Sequence, residues 1–269
     1  MTGEQMREAL HAGWRVYGSC LTNPSPWTAA RYTQLDFAFI DNEHSPLGRE
    51  STMALCQVFK ALQIAPVVRI PVADPTLASM ALDAGAEGVI CPYMEDPSLV
   101  QAMVGAVKYR PLKGRKLADF VRAGAGVELK TLQYLEQRNR NNVLIINLES
   151  VPALNRLDEL LAVRGLDAVL IGPHDLSVSL DIPEQYEHPA FIAAAEQIIT
   201  RARAAGLGAG LHYWENLDRE LHYIGKGANL IVHSTDITEA VRAIDAALSS
   251  LRAAVGDVRA GASGNGPAV

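Results

Sequence analysis

The chain has 269 residues, of which 49% are hydrophobic, and a formal net charge of −6. This length suits one α/β domain with a large core better than two independent domains. An acidic chain without a cluster of Lys and Arg excludes nucleic acid and anionic membrane surfaces as main partners, so small molecules are the expected ligands. The N-terminal residues lack a signal-peptide pattern and no apolar run reaches the roughly 18–20 residues of a membrane span, so we expect a cytoplasmic protein.

Short apolar runs alternate with amphipathic stretches along the chain, which is typical of repeated βα units. Eight runs are predicted as strands: Val16–Ser19, Phe37–Asp41, Ala65–Ile70, Gly88–Cys91, Val143–Leu148, Ala168–Ile171, Gly208–Leu211 and Leu230–Val232. Eight is the number of parallel strands in a TIM barrel. The predicted fold class is therefore α/β, with a single (β/α)8 barrel over residues 1–255.

Helical patterns lie between the predicted strands, and three are marked: Thr76–Ala84, Val151–Ala162 and Pro189–Ala205. Gly85 and Gly206 follow two of these helices, where glycine favours a left-handed C-cap. The span from Tyr109 to Asn142 is longer than a simple connection, and its glycines predict a loop over the barrel mouth before a helix. The tail 256–269 is predicted to be disordered.

The three cysteines, Cys20, Cys56 and Cys91, are an odd number without CxxC spacing. This pattern predicts neither a disulfide framework nor a thiolate metal site. We expect buried free thiols.

Polar residues are concentrated at the ends of the predicted strands, where a barrel of this kind carries its active site. They are Asp41, Asn42, Glu43 and His44 after strand two, Arg69 in strand three, Asn147 and Glu149 after strand five, His174, Asp175 and Ser177 after strand six, and His212, His233, Ser234 and Asp236 at strands seven and eight. Any one of these could simply satisfy loop carbonyls. Their convergence on one rim favours a site.

Two of the apolar runs end on single carboxylates, Glu149 and Asp175. If both acids face one cavity, they form a two-carboxylate site with open positions, which suits a hard divalent cation such as Mg²⁺. The alternative is that both acids are helix N-caps, because helical stretches begin close to them.

Three further residues are candidates for chemistry. Arg69 lies within an apolar run and needs an anionic partner, either a substrate carboxylate or, as the alternative, Asp41 or Glu43. His44 follows two acids and suits a proton shuttle, or else a pair that fixes the loop. Asp83 lies at a helix end that disfavours an acid, which weakly indicates a specific partner.

Five segments together resemble the HpcH/HpaI family of metal-dependent pyruvate aldolases, which includes macrophomate synthase. They are Phe39–Pro46, Pro66–Arg69, Ala81–Val89, Leu148–Ser150 and Ile171–Ser177. The resemblance covers Gly18 to Asp236. It implies a phosphoenolpyruvate/pyruvate-type barrel whose subunits form hexamers, as trimers of dimers, with the last helix exchanged between neighbours.

The resemblance also implies roles for individual residues. Glu149 and Asp175 would bind Mg²⁺, Mn²⁺ or Co²⁺, and Arg69 would contact the 2-oxo acid. His44 and Asp83 would form the proton-transfer dyad, with Asp83 able to reach across a subunit contact. The segment Gly172, Pro173 and His174 would hold the pyruvate carboxylate, and we place Asn147, Ser177 and His212 among the substrate-binding residues as well.

The sequence departs from the family pattern at one position on the pyruvate side and at several positions that would shape the pocket for the second reactant. Asn147 stands where the family usually has glutamine, so a hydrogen bond on the pyruvate side is expected to be shortened or lost. The segment His212-Tyr213-Trp214 and His233 place bulky groups on strand ends that are usually plainer. The metal and pyruvate half of the site is therefore carried over more securely than the acceptor half.

The leading hypothesis is a metal-dependent lyase that reversibly cleaves a 4-hydroxy-2-oxo acid to pyruvate and an aldehyde through the pyruvate enolate. Alternatives are oxaloacetate decarboxylation or an enolate carbon–carbon bond-forming reaction at the same site, and a metabolite-binding barrel without catalysis. A Schiff-base route is disfavoured because no lysine ends a predicted strand. The six lysines are Lys60, Lys108, Lys113, Lys116, Lys130 and Lys226.

Overall fold

Eight parallel strands close into a barrel in sequence order, β1 to β8, with β8 paired to β1. The computed structural model describes residues 1–214 and 217–257. The strands are β1 Val16–Leu21, β2 Phe37–Asp41, β3 Ala65–Arg69, β4 Gly88–Cys91, β5 Val143–Asn147, β6 Ala168–Ile171, β7 Gly208–Tyr213 and β8 Leu230–Thr235. The predicted (β/α)8 fold is confirmed, and all eight predicted strands occur.

The helices surround the barrel. They are α1 Gly3–Ala12, α2 Pro26–Ala29, α3 Arg49–Ala61, α4 Pro75–Asp83, α5 Pro97–Lys108, α6 Gly114–Ala123, α7 Leu129–Asn139, α8 Val151–Asn155, α9 Leu157–Leu161, α10 Pro173–Ser179, α11 Pro189–Ala204, α12 Leu217–Gly225 and α13 Asp236–Val255. Gly85 and Gly206 have positive φ, as their predicted capping role requires.

The structure corrects the predictions for two segments of the chain. The span 109–142 contains the predicted helix as α7, but the predicted loop over the mouth is replaced by a second helix, α6, and both helices pack against α5 on the outside of the barrel. These two helices bound a cleft of about 740 Å³ lined by Val104, Phe120 and Val163 among others. The helix predicted over 151–162 is two short helices, because the backbone leaves the helical conformation at Arg156.

Alternation along each strand divides the core into two layers. Residues such as Phe37, Phe39, Val67 and Ile145 fill the barrel interior, while their neighbours in sequence pack under the helices. Helix α1 closes the N-terminal end of the barrel, since Met6 belongs to the interior cluster and is fully buried. The opposite end, which we call the mouth, is where the strands end.

A buried ion pair lies at the N-terminal end of the barrel. Lys108 Nζ, at the end of α5, contacts the Asp167 carboxylate, and Asp167 Oδ2 also accepts from the Leu144 amide. Both side chains are nearly inaccessible. Lys108 is therefore held by Asp167 at the end of the barrel opposite the mouth.

The C-terminal helix α13 carries an uncovered apolar stripe. Ile237, Val241, Ile244, Leu248, Leu251 and Val255 recur at helical spacing, and each is 47% to 73% exposed. Cys20, Cys56 and Cys91 are buried and free, as expected. No helix within residues 1–214 and 217–257 is long and apolar enough to cross a membrane. The predicted disordered tail lies, from residue 258 onward, outside the described residues.

Candidate active site

The alternation that fills the barrel also aims the last interior residues of the strands at the mouth. Asp41 and Arg69 are opposite each other in the β2–β3 register, and His212 is opposite Val232 in the β7–β8 register. Asn147 follows Ile145 by two positions on β5, so it shares the interior face. Side chains from four strands thus meet at one end of the barrel.

Arg69 is held by two acids from β2 and the loop after it. Its Nε and Nη2 each lie 2.8 Å from an oxygen of Asp41, and its Nη1 lies 3.1 Å from Glu43 Oε2. The bidentate pairing fixes the plane of the guanidinium. Although burial acts to raise it, the pKa of Asp41 is lowered, because Arg69 donates hydrogen bonds and adds positive charge beside it. The pairing weighed as an alternative is therefore present.

This pairing leaves Arg69 with donors to spare. A guanidinium has five N–H groups, and three nitrogens here use one each, so Nη1 and Nη2 each keep one. The side chain is 12% exposed, and its central carbon lies 5.2 Å from the Phe39 ring centroid. A fixed, partly accessible cation of this kind can bind an anionic substrate group.

Glu149 is a buried carboxylate at the end of β5. It is 4% exposed, its Oε1 accepts from the Tyr93 amide at 2.8 Å, and its Oε2 accepts from Asn147 Nδ2 at 3.1 Å. Burial raises the pKa of Glu149 to about 7, and the negative charge of Asp175 adds to the effect. It caps no helix, because Ser150 is the N-cap of α8.

Asp175 lies in the first turn of α10, where the helix dipole favours a negative charge. Gly172 is the N-cap of that helix, and a Cβ built there would lie 2.0 Å from Glu149 Oε2. Asp175 also raises the pKa values of Glu149 and Glu43, so its charge acts on both of these acids. The two predicted metal ligands therefore share one region of the mouth, and the capping alternative holds for neither side chain.

The proposed proton-transfer dyad is not formed within one chain. His44 is 67% exposed and its Nε2 lies 3.6 Å from Glu43 Oε2. Asp83 is 66% exposed and contacts Arg110. Because α4 runs antiparallel to the strands, its last residue Asp83 lies toward the N-terminal end of the barrel, opposite the mouth. Within the described residues, no ion pair joins His44 to Asp83.

The remaining candidate residues differ in their exposure and in their hydrogen-bond partners. His174 is exposed at the start of α10, and Pro173 beside it offers no N–H. Ser177 is fully buried, donates to the His174 carbonyl and accepts from the Glu184 amide, so its placement argues against a substrate contact. His233 points outward and pairs with Glu220, which removes it from the mouth.

His212 is the histidine that lies inside the barrel. Its Nε2 lies 3.1 Å from the Ser234 carbonyl oxygen, and its ring packs edgewise on Phe39 at 5.8 Å and on Trp214 at 5.7 Å. Burial lowers the pKa of His212 to about 4, and the positive charge of Arg69 acts in the same direction. The ring is therefore neutral at physiological pH.

Sequence reasoning missed the Tyr93 amide and the Phe39 ring as parts of the site. A backbone amide leaves no sequence signal, since its direction depends on the loop after β4. Phe39 is detectable, because it lies two positions before Asp41 and so shares the interior face. The same alternation places Tyr213 and His233 on the outer faces of β7 and β8.

The candidate metal centre consists of two carboxylates, those of Glu149 and Asp175. Across residues 1–214 and 217–257, no group of three or more His, Cys, Asp or Glu side chains is arranged to hold a metal ion. A hard divalent cation bound by one or two carboxylates, with water and substrate filling the remaining positions, needs no larger group. Glu149 has no ion-pair partner among the described residues, and Asn147 Oδ1 is buried without a hydrogen bond. These features fit such a cation.

The fold and the mouth define a (β/α)8 barrel protein with a carboxylate and arginine site at the C-terminal ends of its strands. The sequence model of the HpcH/HpaI aldolase/citrate lyase family matches residues 19–243. The chain belongs to this family, which confirms the resemblance. Family membership supports a lyase of the 2-oxo acid aldolase type.

Individual relatives agree with this assignment. The chain is 35% identical over 240 residues to a hydroxypyruvate/pyruvate aldolase of Deinococcus radiodurans, covering 88% of this chain and 86% of the relative. It is 30% identical over 249 residues to a 2-keto-3-deoxy-L-rhamnonate aldolase of Salmonella gallinarum, covering 91% and 92%. A crystal structure of an HpcH/HpaI aldolase from Desulfitobacterium hafniense superposes with a TM-score of 0.80 at 26% identity, covering 92% and 96%.

Proposed function

We propose that this protein catalyses reversible aldol cleavage of a 4-hydroxy-2-oxo acid to pyruvate, or a close 2-oxo acid, and an aldehyde, with a divalent metal ion as its cofactor. One observation carries the proposal: Glu149, a buried carboxylate that forms no ion pair within residues 1–214 and 217–257, lies in the same mouth as Asp175 and the fixed guanidinium of Arg69. The named activities of the relatives, a hydroxypyruvate/pyruvate aldolase and a 2-keto-3-deoxy-L-rhamnonate aldolase, support it.

Glu149 and Asp175 would hold the metal ion, which is Mg²⁺, Mn²⁺ or Co²⁺ in this proposal. The missing side chain at Gly172 leaves room for the Glu149 carboxylate. When bound, the ion supplies Lewis-acid stabilisation of the negative charge that develops on the keto oxygen.

Arg69 would bind the 2-oxo acid with the N–H groups that Asp41 and Glu43 leave free. Because the two acids fix the guanidinium, its positive charge would be preorganised beside the developing enolate oxygen. The amides of His174 and Asp175 lie in the first turn of α10, where a helix offers them no carbonyl of its own, so they would be available to the substrate carboxylate.

His44 would take the proton of the 4-hydroxyl during cleavage and return it during condensation, directly or through water. Its exposure and its contact with Glu43 leave the ring free to meet a substrate at the mouth. Asp83 could complete the dyad only from a second copy of the chain, because its own copy holds it away from the mouth.

Assembly is part of the proposal. The apolar stripe of α13 is exposed in the single chain, and burying it against a neighbour is favourable. We propose a hexamer, a trimer of dimers, in which α13 is exchanged between subunits. Light scattering after size-exclusion chromatography tests it: Ile244→Asp with Leu248→Asp should yield smaller species, whereas Ser249→Asp should not.

Pyruvate release from 4-hydroxy-2-oxo acids tests the reaction. The purified chain is assayed with EDTA, and then with Mg²⁺, Mn²⁺ or Co²⁺ restored, and oxaloacetate is run in parallel. We expect EDTA to abolish cleavage and added metal to restore it. We also expect Glu149→Gln to abolish cleavage. Cleavage unaffected by EDTA and by Glu149→Gln would overturn it, and faster turnover of oxaloacetate would favour decarboxylation at the same site.

A further inference from the structure

His212 offers the mouth one hydrogen-bond acceptor of fixed identity. It lies on the interior face of β7, and the rings of Phe39 and Trp214 pack against it on two sides. The Phe39 ring also packs against the Arg69 guanidinium. His212 and Arg69 therefore border the same chamber.

The hydrogen bond to Ser234 determines the tautomer. A backbone carbonyl only accepts, so the proton between His212 Nε2 and the Ser234 oxygen belongs to Nε2. Burial keeps the pKa of His212 well below neutrality, so Nδ1 carries no proton. Nδ1 is then a lone-pair acceptor.

This acceptor is available to a ligand. Within residues 1–214 and 217–257, Nδ1 makes no hydrogen bond, and it is not among the buried unpartnered atoms. Nδ1 is therefore not fully enclosed, and the position of His212 on the interior face at the end of β7 puts it at the mouth. The packed rings and the hydrogen bond of Nε2 hold the imidazole in place, so Nδ1 is preorganised to accept a hydrogen bond.

The reactants of an aldol reaction offer few donors. Carboxylate, keto and aldehyde oxygens all accept hydrogen bonds, so none of them pairs with Nδ1. The 4-hydroxyl of the aldol product is assigned to His44, so the donor that remains for Nδ1 is a further hydroxyl group on one of the two reactants. We propose that His212 is a specificity-determining residue whose Nδ1 accepts a hydrogen bond from a substrate hydroxyl, so that hydroxylated reactants are preferred.

This inference rests on the proposed function and specifies its substrate class. The hydroxyl belongs either to the 2-oxo acid, as in hydroxypyruvate, or to the carbon next to the aldehyde, as in glycolaldehyde. Two matched pairs separate these sources: hydroxypyruvate against pyruvate with one aldehyde, and glycolaldehyde against acetaldehyde with pyruvate. Each pair gives one ratio of kcat/KM.

The ratios are measured for the metal-supplemented wild-type protein, for His212→Leu and for His233→Leu. His212→Leu removes the acceptor, so the ratio should fall about ten-fold in the pair that carries the recognised hydroxyl. His233→Leu is the matched control, because that histidine faces outward and pairs with Glu220. It should leave both ratios at wild-type values. Intrinsic differences in reactivity cancel when variants are compared within a pair.

Each outcome has one meaning. A fall in one ratio supports the inference and identifies the reactant that bears the hydroxyl. Ratios that His212→Leu leaves unchanged, or a wild-type protein without preference in either pair, overturn it while aldol activity persists. If His212→Leu does not fold, the wild-type ratios decide. Absence of carbon–carbon bond formation with all four compounds overturns the proposed function itself.

Discussion

Gly172 leaves its side-chain position to the carboxylate of Glu149, since a Cβ at residue 172 would lie 2.0 Å from Glu149 Oε2. The glycine has φ −88, so backbone conformation does not require it there. Space for the carboxylate is the reason for this glycine.

Gly172→Ala should displace the Glu149 carboxylate and weaken metal binding. We expect the Mn²⁺ concentration for half-maximal aldol activity to rise by ten-fold or more, because ligand geometry tolerates little displacement. Gly225→Ala is the control: nothing lies within 4 Å of its built Cβ. An unchanged Mn²⁺ requirement in Gly172→Ala would show that the carboxylate does not serve the metal.

Removing Asp41 should damage both stability and activity. Asp41→Ala leaves the Arg69 cation largely buried without its bidentate partner, so we expect the free energy of unfolding to fall by about 3–5 kcal/mol. The loosened guanidinium should also lower kcat/KM by at least about ten-fold. Asp119→Ala removes the exposed partner of Arg122 and should cost less than about 1 kcal/mol. Urea unfolding measures the change in stability, and steady-state kinetics measures the change in kcat/KM. Equal losses of unfolding free energy in Asp41→Ala and Asp119→Ala would contradict this prediction.

Lys108→Met should destabilise the protein without entering the chemistry. The substitution leaves the Asp167 carboxylate buried at the N-terminal end of the barrel without its lysine partner. The free energy of unfolding should therefore fall by about 3–5 kcal/mol. Below its unfolding temperature the variant should keep the wild-type kcat, and borohydride with pyruvate should trap no adduct in the wild type. Lys226→Met, at an exposed pair with Glu196, is the stability control. Borohydride trapping at Lys108 would contradict this role.

His212 should make the protein less stable in acid. Its folded pKa, about 4, is below the usual unfolded value near 6.5, so the unfolded state takes up the proton first as pH falls. The neutral ring imposes no penalty above about pH 6.5, and stability is lost progressively from there down to about pH 4. Between pH 7.5 and 5.0 the wild type should lose about 2 kcal/mol through this group. In His212→Phe this loss of about 2 kcal/mol should disappear. Urea unfolding at pH 7.5 and 5.0 measures it, and the same pH dependence in the wild type and the variant would contradict the prediction.

The fold was accessible from the sequence because apolar runs and connecting helices repeat eight times, and three strands have the predicted bounds. A helix was predicted at the end of the span 109–142, where α7 lies, but α6 was not, because Gly114, Gly124 and Gly126 indicated a loop while the residues between them formed amphipathic turns. The break at Arg156 was also hidden, since nothing in the apolar pattern interrupts there.

The candidate site was predicted in part. The alternation of strand residues and the acids after β5 and β6 were sufficient to place Glu149, Asp175, Arg69 and His212 at one mouth. The partner of His44 was not predictable, because which acid reaches a loop histidine depends on the loop conformation and on neighbouring subunits. The hydrogen bonds of Ser177 were not predictable, because its sequence position cannot show that its hydroxyl ties α10 to the following loop.

Manganese binding measured by electron paramagnetic resonance tests the central claim most directly. Mn²⁺ is titrated into metal-free wild-type protein, Glu149→Gln and Asp175→Asn, and the free-ion signal is followed. We predict one bound ion per chain in the wild type, and affinity weakened at least ten-fold in each variant. Equal binding by all three proteins would contradict it, because the ion would then be held by groups other than these two carboxylates.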